Sequence, residues 1–143
     1  MKEGVNIAVN ALMALYVTKG VQPSELIDNI FDDEYRTVSS KRNSDQTVTF
    51  TLSYIDQGAE SIQTVESRYT YDADRILLLV EQKVGAGRYS TQWSRKEATA
   101  RAIENLATAL FEAGYSPERI SSSLATLPVD LHHRVRTALK AVA

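Results

Sequence analysis

Residues 47–93, TVTFTLSYIDQGAESIQTVESRYTYDADRILLLVEQKVGAGRYSTQW, decide how this chain folds. From Thr47 to Tyr54 the even positions Val48, Phe50, Leu52 and Tyr54 alternate with Thr47, Thr49, Thr51 and Ser53. A period of two in β-branched and aromatic residues marks a half-buried strand. Gln57-Gly58-Ala59-Glu60 supplies turn chemistry. In Ile62–Tyr71, Val65, Tyr69 and Tyr71 share one parity, while Thr64, Glu66, Arg68 and Thr70 share the other. Asp72-Ala73-Asp74 suits a tight reversal, because Asp carboxylates accept from nearby backbone N–H groups.

Arg75–Val84 is the most apolar segment, with Ile76, Leu77, Leu78, Leu79 and Val80 in succession. A run this short is ambiguous by periodicity. Asp72 as a cap, Gly85 as a stop, and Ile76, Leu79, Val80 and Lys83 at helical spacing would suit a helix. Hairpin-type turns on both sides favour a strand, and Tyr89, Thr91 and Trp93 alternate again afterwards. The expectation is therefore an α+β protein with a four-stranded antiparallel meander over 47–93. Its turns fall at 57–60, 72–74 and 85–87.

One face of that meander carries Val48, Phe50, Leu52, Tyr54, Val65, Tyr69, Tyr71, Ile76, Leu78, Val80, Tyr89 and Trp93, and helices should cover it. The opposite face is Thr, Ser, Glu, Arg and Gln, interrupted by Leu77 and Leu79. Two leucines left in water there cost about 1.5–3 kcal/mol each. That predicts a cover, either a helix of the same chain or a second copy or partner protein.

At 143 residues, with 43% hydrophobic and 24% charged residues, the chain suits one α+β domain over 1–143. A net charge of −2 argues against a protein devoted to coating nucleic acid or membrane. The absence of cysteine excludes disulfides, thiolate metal sites and cysteine nucleophiles, and it fits a cytoplasmic setting. Val5–Val17 is apolar but contains Asn6 and Asn10, lacks a basic leader and is too short for a bilayer span. No membrane association is expected.

Helices are expected over 4–19 and 23–34 before the meander, and over 94–113, 116–126 and 130–142 after it. Residues 4–19 are apolar nearly all round, as suits a core or an interface. Pro23, Ser24 and Glu25 open the second helix. Its end, Asp32-Asp33-Glu34, sets three carboxylates at the unfavourable end of the macrodipole. Screening by Arg36 is the plain explanation. A patch for a basic partner is the functional one, and a hard-cation site at Asp28 and Asp32 is the weakest. Residues 36–46, RTVSSKRNSDQ, read as a solvated connection. Ser94-Arg95-Lys96-Glu97 forms a capping box that opens the long third helix.

Residues 118–135 resemble a helix-turn-helix motif, with Ile120, Leu124, Leu131 and Val135 at inward positions, Ser121 at the close approach and Ala125 near the turn. The likeness departs from the pattern at Ala125, where glycine is usual, and at Pro128. It implies that His132, His133, Arg134, Arg136 and Lys140 would meet phosphates or base edges. The competing reading is an ordinary helical hairpin. His132 and His133, the only histidines, point about 100° apart on a helix and cannot share one metal.

No nucleophile elbow is present, and Gly85-Ala86-Gly87 lacks the spacing of a phosphate loop. A tyrosine stacking platform for single strands is disfavoured, because the tyrosines share the parity of the core. The expectation is a non-enzymatic, cofactor-free regulatory or inhibitor protein that works through protein–protein contacts. Self-association as a homodimer through the sheet is included. The expected contact residues are Leu77, Leu79, Asp32, Asp33 and Glu34. A DNA-binding regulator using 116–140 is the alternative.

Overall fold

The computed structural model describes residues 2–58 and 61–143. Ala59 and Glu60, in the expected turn at 57–60, lie outside the described residues. The fold is α+β, with helices at both ends and an antiparallel sheet of five strands between them. Helices α1 (Lys2–Val17) and α2 (Pro23–Asp28) come first, the latter followed by a 3-10 turn at Asn29–Phe31. The strands are β1 (Tyr35–Arg42), β2 (Val48–Asp56), β3 (Gln63–Tyr71), β4 (Leu77–Val84) and β5 (Ser90–Ser94). They lie side by side in chain order, each antiparallel to the last. Helices α3 (Arg95–Ala113), α4 (Pro117–Leu124) and α5 (Val129–Val142) complete the chain.

The extra strand is β1, where the sequence reads as a solvated connection. An edge strand needs no strict alternation, and only Tyr35 and Val38 of its eight residues are even half-buried. The hairpin to β2 turns through Asn43–Thr47, with Gln46 at φ 72° and Asn43 Nδ2 donating to Thr47 Oγ1 at 2.9 Å. Of the apolar run 75–84, Leu77–Val84 is extended, while Arg75 sits at φ 66° in the turn before it, where the Asp72 carboxylate accepts from the Asp74 and Ile76 amides at 2.8 and 3.0 Å. The second helix is shorter than expected. It leaves α-geometry at Asp28, and Asp32 is already extended at ψ 140°. Ending there keeps the three carboxylates out of a helical last turn, where the macrodipole disfavours them.

The chain forms two compact units, 19–95 and the helical remainder. In the helical unit, Val5, Ala8 and Leu12 of α1, Ile103, Leu106 and Leu110 of α3, and Leu124, Leu131 and Val135 of α4 and α5 form one core. Ser116 caps α4 by accepting from the Arg119 amide, and Gly114 ends α3 at φ 65°. The opposite side of α1 is not core: Ile7, Tyr16 and Val17 are exposed.

In the sheet unit the core is Leu26, Leu52, Tyr71 and Leu77, ringed by Val21, Tyr35, Val38, Phe50, Tyr69, Val80 and Trp93. The expected face holds for β2 and β3, where Val48, Phe50, Leu52 and Tyr54 pair with Tyr71, Tyr69, Ser67 and Val65. It fails in β4. There the ladder slips, so that Thr70 faces Leu79 and Tyr71 faces Leu77, leaving Leu78 as a bulge. One extra residue reverses the side-chain parity. Leu77, expected on the polar face, is therefore a core residue at 6% exposure. Leu79 does lie on the polar face, half-buried between Thr70 and Ser94.

The stretch before α2 is tied to the bulged strand. The Leu77 amide donates to the Lys19 carbonyl at 2.8 Å, and the Tyr71 hydroxyl donates to the Val21 carbonyl at 2.5 Å. Gly20 lies against Leu77 at φ 89°, and a Cβ on it would sit 2.8 Å from Leu77 Cβ. Gly20→Ala meets both backbone strain and a clash. We expect it to cost more than about 1 kcal/mol in chemical denaturation. Leu77→Ala should cost about 2–5 kcal/mol as a buried truncation, whereas Leu79→Ala should cost clearly less.

Candidate functional site

The 3-10 turn after α2 delivers the acid run to the outer end of the β1–β2 pair. There Asp33, Glu34 and Tyr35 meet Tyr54, Ile55, Asp56 and Gln57 around a hollow of about 490 Å³. Register explains the meeting: Tyr35 lies directly across from Tyr54, and the Ile55 amide donates to the Glu34 carbonyl at 2.8 Å. The two tyrosine rings pack at 5.1 Å between centroids, tilted by 38°.

These tyrosines also border a second hollow of about 280 Å³ on the apolar face, floored by Leu52, Ser67 and Val80. Tyr69, Gln82 and Gln92 complete its wall. Gln82 Nε2 donates to the Tyr54 hydroxyl at 3.1 Å. Burial, then the neighbouring phenols of Tyr54 and Tyr69, then Asp32 and Glu34 push the Tyr35 phenol above its ordinary pKa. Burial, then Tyr54, does the same for Tyr69. Both phenols are therefore uncharged near neutral pH, and the negative charge here belongs to the carboxylates.

No ion pair among the described residues engages Asp32, Asp33, Glu34 or Asp56. Arg36 points its guanidinium at the main-chain carbonyls of Asp33 and Tyr35 rather than at a carboxylate. Among the described residues, Asp56 accepts from the Gly58 amide, at 3.0 Å. Phe31, 84% exposed, stands beside the acids at the end of the turn. Carboxylates flanking a tyrosine pair suit an ammonium or guanidinium, which gains both charge pairing and the ring faces. Among the described residues, no group of three or more His, Cys, Asp or Glu side chains is arranged to hold a metal, Asp28 and Asp32 included.

Of the residues expected to act, Asp33 and Glu34 come together in the hollow, with Asp32 adjacent. Leu77 is removed to the core, and Leu79 lies in another part of the sheet. Tyr35, Tyr54 and Asp56 were not singled out as one site. Only the β1–β2 register unites them, and the sequence gives no sign of β1.

The polar face is organised by charge. Arg68 grips Glu81 with two hydrogen bonds of 2.9 and 3.1 Å and lies 3.7 Å over the Tyr89 ring. Lys83 pairs with Glu66 at 3.4 Å, and the Tyr89 hydroxyl donates to the same carboxylate. Tyr89, expected on the apolar face, belongs to this cluster because it precedes β5 rather than alternating within it.

On α5, His133, Arg136, Thr137 and Lys140 fall on one exposed stripe, with Arg134 beside it. Arg136 donates to Ser121 of α4 at 3.0 Å. His132 is half-buried, and its Nε2 has no hydrogen-bond partner among the described residues. No helix among the described residues is long and apolar enough to cross a membrane. The chain matches no protein-family model, no curated protein and no solved structure.

The charged cluster sets pH dependence in two windows. The Tyr89 phenol first, then Lys83 and Arg68, hold the Glu66 carboxyl below its ordinary pKa against the opposing effect of burial. Stability from this group is present above the ordinary carboxyl pKa and is lost as pH falls through the depressed value. Tyr89→Phe should raise the Glu66 pKa in a carboxyl carbon-13 titration and shorten the acid limb of the stability curve. Burial first pushes Tyr71 and Tyr89 up to about 12. Unfolded tyrosines ionise near pH 10, so stability should fall as pH rises from about 10 to about 12.

Proposed function

We propose that this chain is a non-enzymatic regulatory protein that works through protein–protein contacts. Its working end is the acid-and-tyrosine hollow, which takes a lysine or arginine side chain of a partner. One observation carries the reading: Asp33, Glu34 and Asp56 line one hollow with the Tyr35–Tyr54 ring pair, and no ion pair among the described residues engages them. Carboxylates left unpaired at a concave aromatic site supply electrostatic complementarity to a basic partner, which speeds encounter and fixes register. The composition of unit 19–95, with twelve acidic residues against nine basic, has the same sign. Phe31 adds an exposed aromatic anchor beside the charges, the kind of residue that carries contact energy in interfaces. Leu77, being core, takes no part, and Leu79 is secondary.

A titration of isotope-labelled protein with an arginine-rich peptide tests this. Amide shifts are expected at residues 33–36 and 54–57, and none with a glutamate-rich counterpart. Asp33→Asn with Asp56→Asn should weaken the arginine peptide about tenfold, a change of about 1.4 kcal/mol. Shifts centred elsewhere, or equal binding by the double variant, would overturn the reading.

The second reading, DNA contact through α4 and α5, is favoured by one observation. A four-residue turn joins an eight-residue helix to a fourteen-residue helix that bears the His133, Arg136 and Lys140 stripe. It requires retention on heparin with a steep salt dependence, because phosphate contacts release counterions. Early elution would sink it.

A further inference from the structure

The free edge of β1 has a chemistry of its own. β1 ends the sheet, and Arg36, Thr37 and Ser39–Arg42 are all exposed. The Asn43 amide bonds the Thr47 carbonyl at 2.8 Å, so by alternation Lys41, Ser39 and Thr37 bond inward to β2. Val38, Ser40 and Arg42 then turn their backbone N–H and C=O groups outward. Basic side chains at an edge ordinarily deter pairing. Here the strand is entered through acids and left through bases, so its antiparallel copy supplies the missing counter-charges.

The register makes this specific. Val38 stands across from Leu52, and Lys41 and Arg42 across from Thr49 and Val48. On the other side of Val38 the bulge at Arg36 adds one residue. Tyr35 therefore faces Tyr54 and Glu34 lies beside Ile55. Glu34 is thus as many rows from Val38 as Lys41 is, and Asp33 lies just beyond it in the turn that the Tyr35 amide closes on the Asp32 carbonyl. A two-fold axis through Val38 sets Glu34 against Lys41 and brings Asp33 to the end of the strand that bears Arg42, twice over. An axis at Ser39 or Ser40 leaves both bases facing Thr, Tyr, Ser or Val.

We infer that the partner of the acid-and-tyrosine hollow is a second copy of this chain, joined edge to edge through β1 about Val38 into a continuous ten-stranded sheet. This rests on the preceding reading and names its partner: Lys41 and Arg42 of one copy come to the acid run lining the hollow of the other. Two-fold self-complementarity of this kind is the commonest closed symmetry among oligomers, and strand addition at an edge is a standard recognition mode.

Sedimentation velocity over a concentration series should show a dimer that weakens with salt. Lys41→Glu with Arg42→Glu should be monomeric, because acids then face acids. Asp33→Lys with Glu34→Lys should be monomeric for the converse reason. All four positions are exposed, so the folds should survive, which circular dichroism checks. Mixed in equal amounts, the two variants should form a heterodimer, each base run meeting an acid run. Ser40→Pro, which removes an outward N–H, should also abolish the dimer.

A monomer at all concentrations, a dimer indifferent to these changes, or no heterodimer on mixing would overturn the inference. If the arginine peptide still mapped to residues 33–36 and 54–57 in a monomeric protein, the hollow would keep its role and only the identity of the partner would fall. If the peptide failed too, both would fall.

Discussion

Leu77 is the residue on which the sheet unit closes. Its side chain fills the core with Leu26, Leu52 and Tyr71, and its amide is bonded to Lys19. Its carbonyl accepts from Arg95 Nε at 2.7 Å. None of this would hold in a regular strand, because strict alternation would send Leu77 to the polar side. The bulge at Leu78 makes the reversal, and it frees the first rung of β4 to pair with the chain ahead of α2. Gly20 has to lie flat there, since the approach to Leu77 leaves no room for a side chain. With the Lys19–Gln22 segment fixed, α2 lays Leu26 on the sheet, and its early termination aims the acid run at the β1–β2 end.

The sheet consequently divides its chemistry by face and by end. On one side, aromatic rings pack over Leu52, with tyrosine hydroxyls at the rim. On the other, Arg68, Glu81, Glu66, Lys83 and Tyr89 satisfy one another. Charges so engaged cost little to keep and have little left to offer a ligand. The carboxylates at the β1–β2 end are in the opposite condition, since no ion pair among the described residues engages them. The distinction between paired and unpaired charge, more than the number of charges, separates the polar face from the β1–β2 end.

How much of this could be read from the residues depended on burial. β2 and β3 each have one face toward a core, so Val48, Phe50, Leu52 and Tyr54 announce a strand plainly. β1 has a single half-buried aliphatic, Val38, and an edge ladder that imposes no pattern, so it looked like loop. In β4 the extended geometry was legible from flanking turns, but five successive apolar residues hide a one-residue slip, and with it the true side of Leu77. The helix after Pro23 was overextended because Ile30 and Phe31 continue the apolar spacing. The unfavourable acids that follow mark where helical geometry has already ended. As for the hollow, its acid run is legible in the sequence as three consecutive carboxylates, Asp32-Asp33-Glu34. Its aromatic wall was not, since Tyr35 and Tyr54 come together only through a pairing that the sequence conceals.

Because the Lys19 carbonyl and the Arg95 guanidinium both bond Leu77, the seventy-seven residues from Lys19 to Arg95 begin and finish beside one residue. A segment with coincident ends behaves as a cassette, since it can be spliced into a loop of another scaffold without stretching either junction. In its own chain, it reads as an excursion out of the helical series and back, with Leu77 as its clasp.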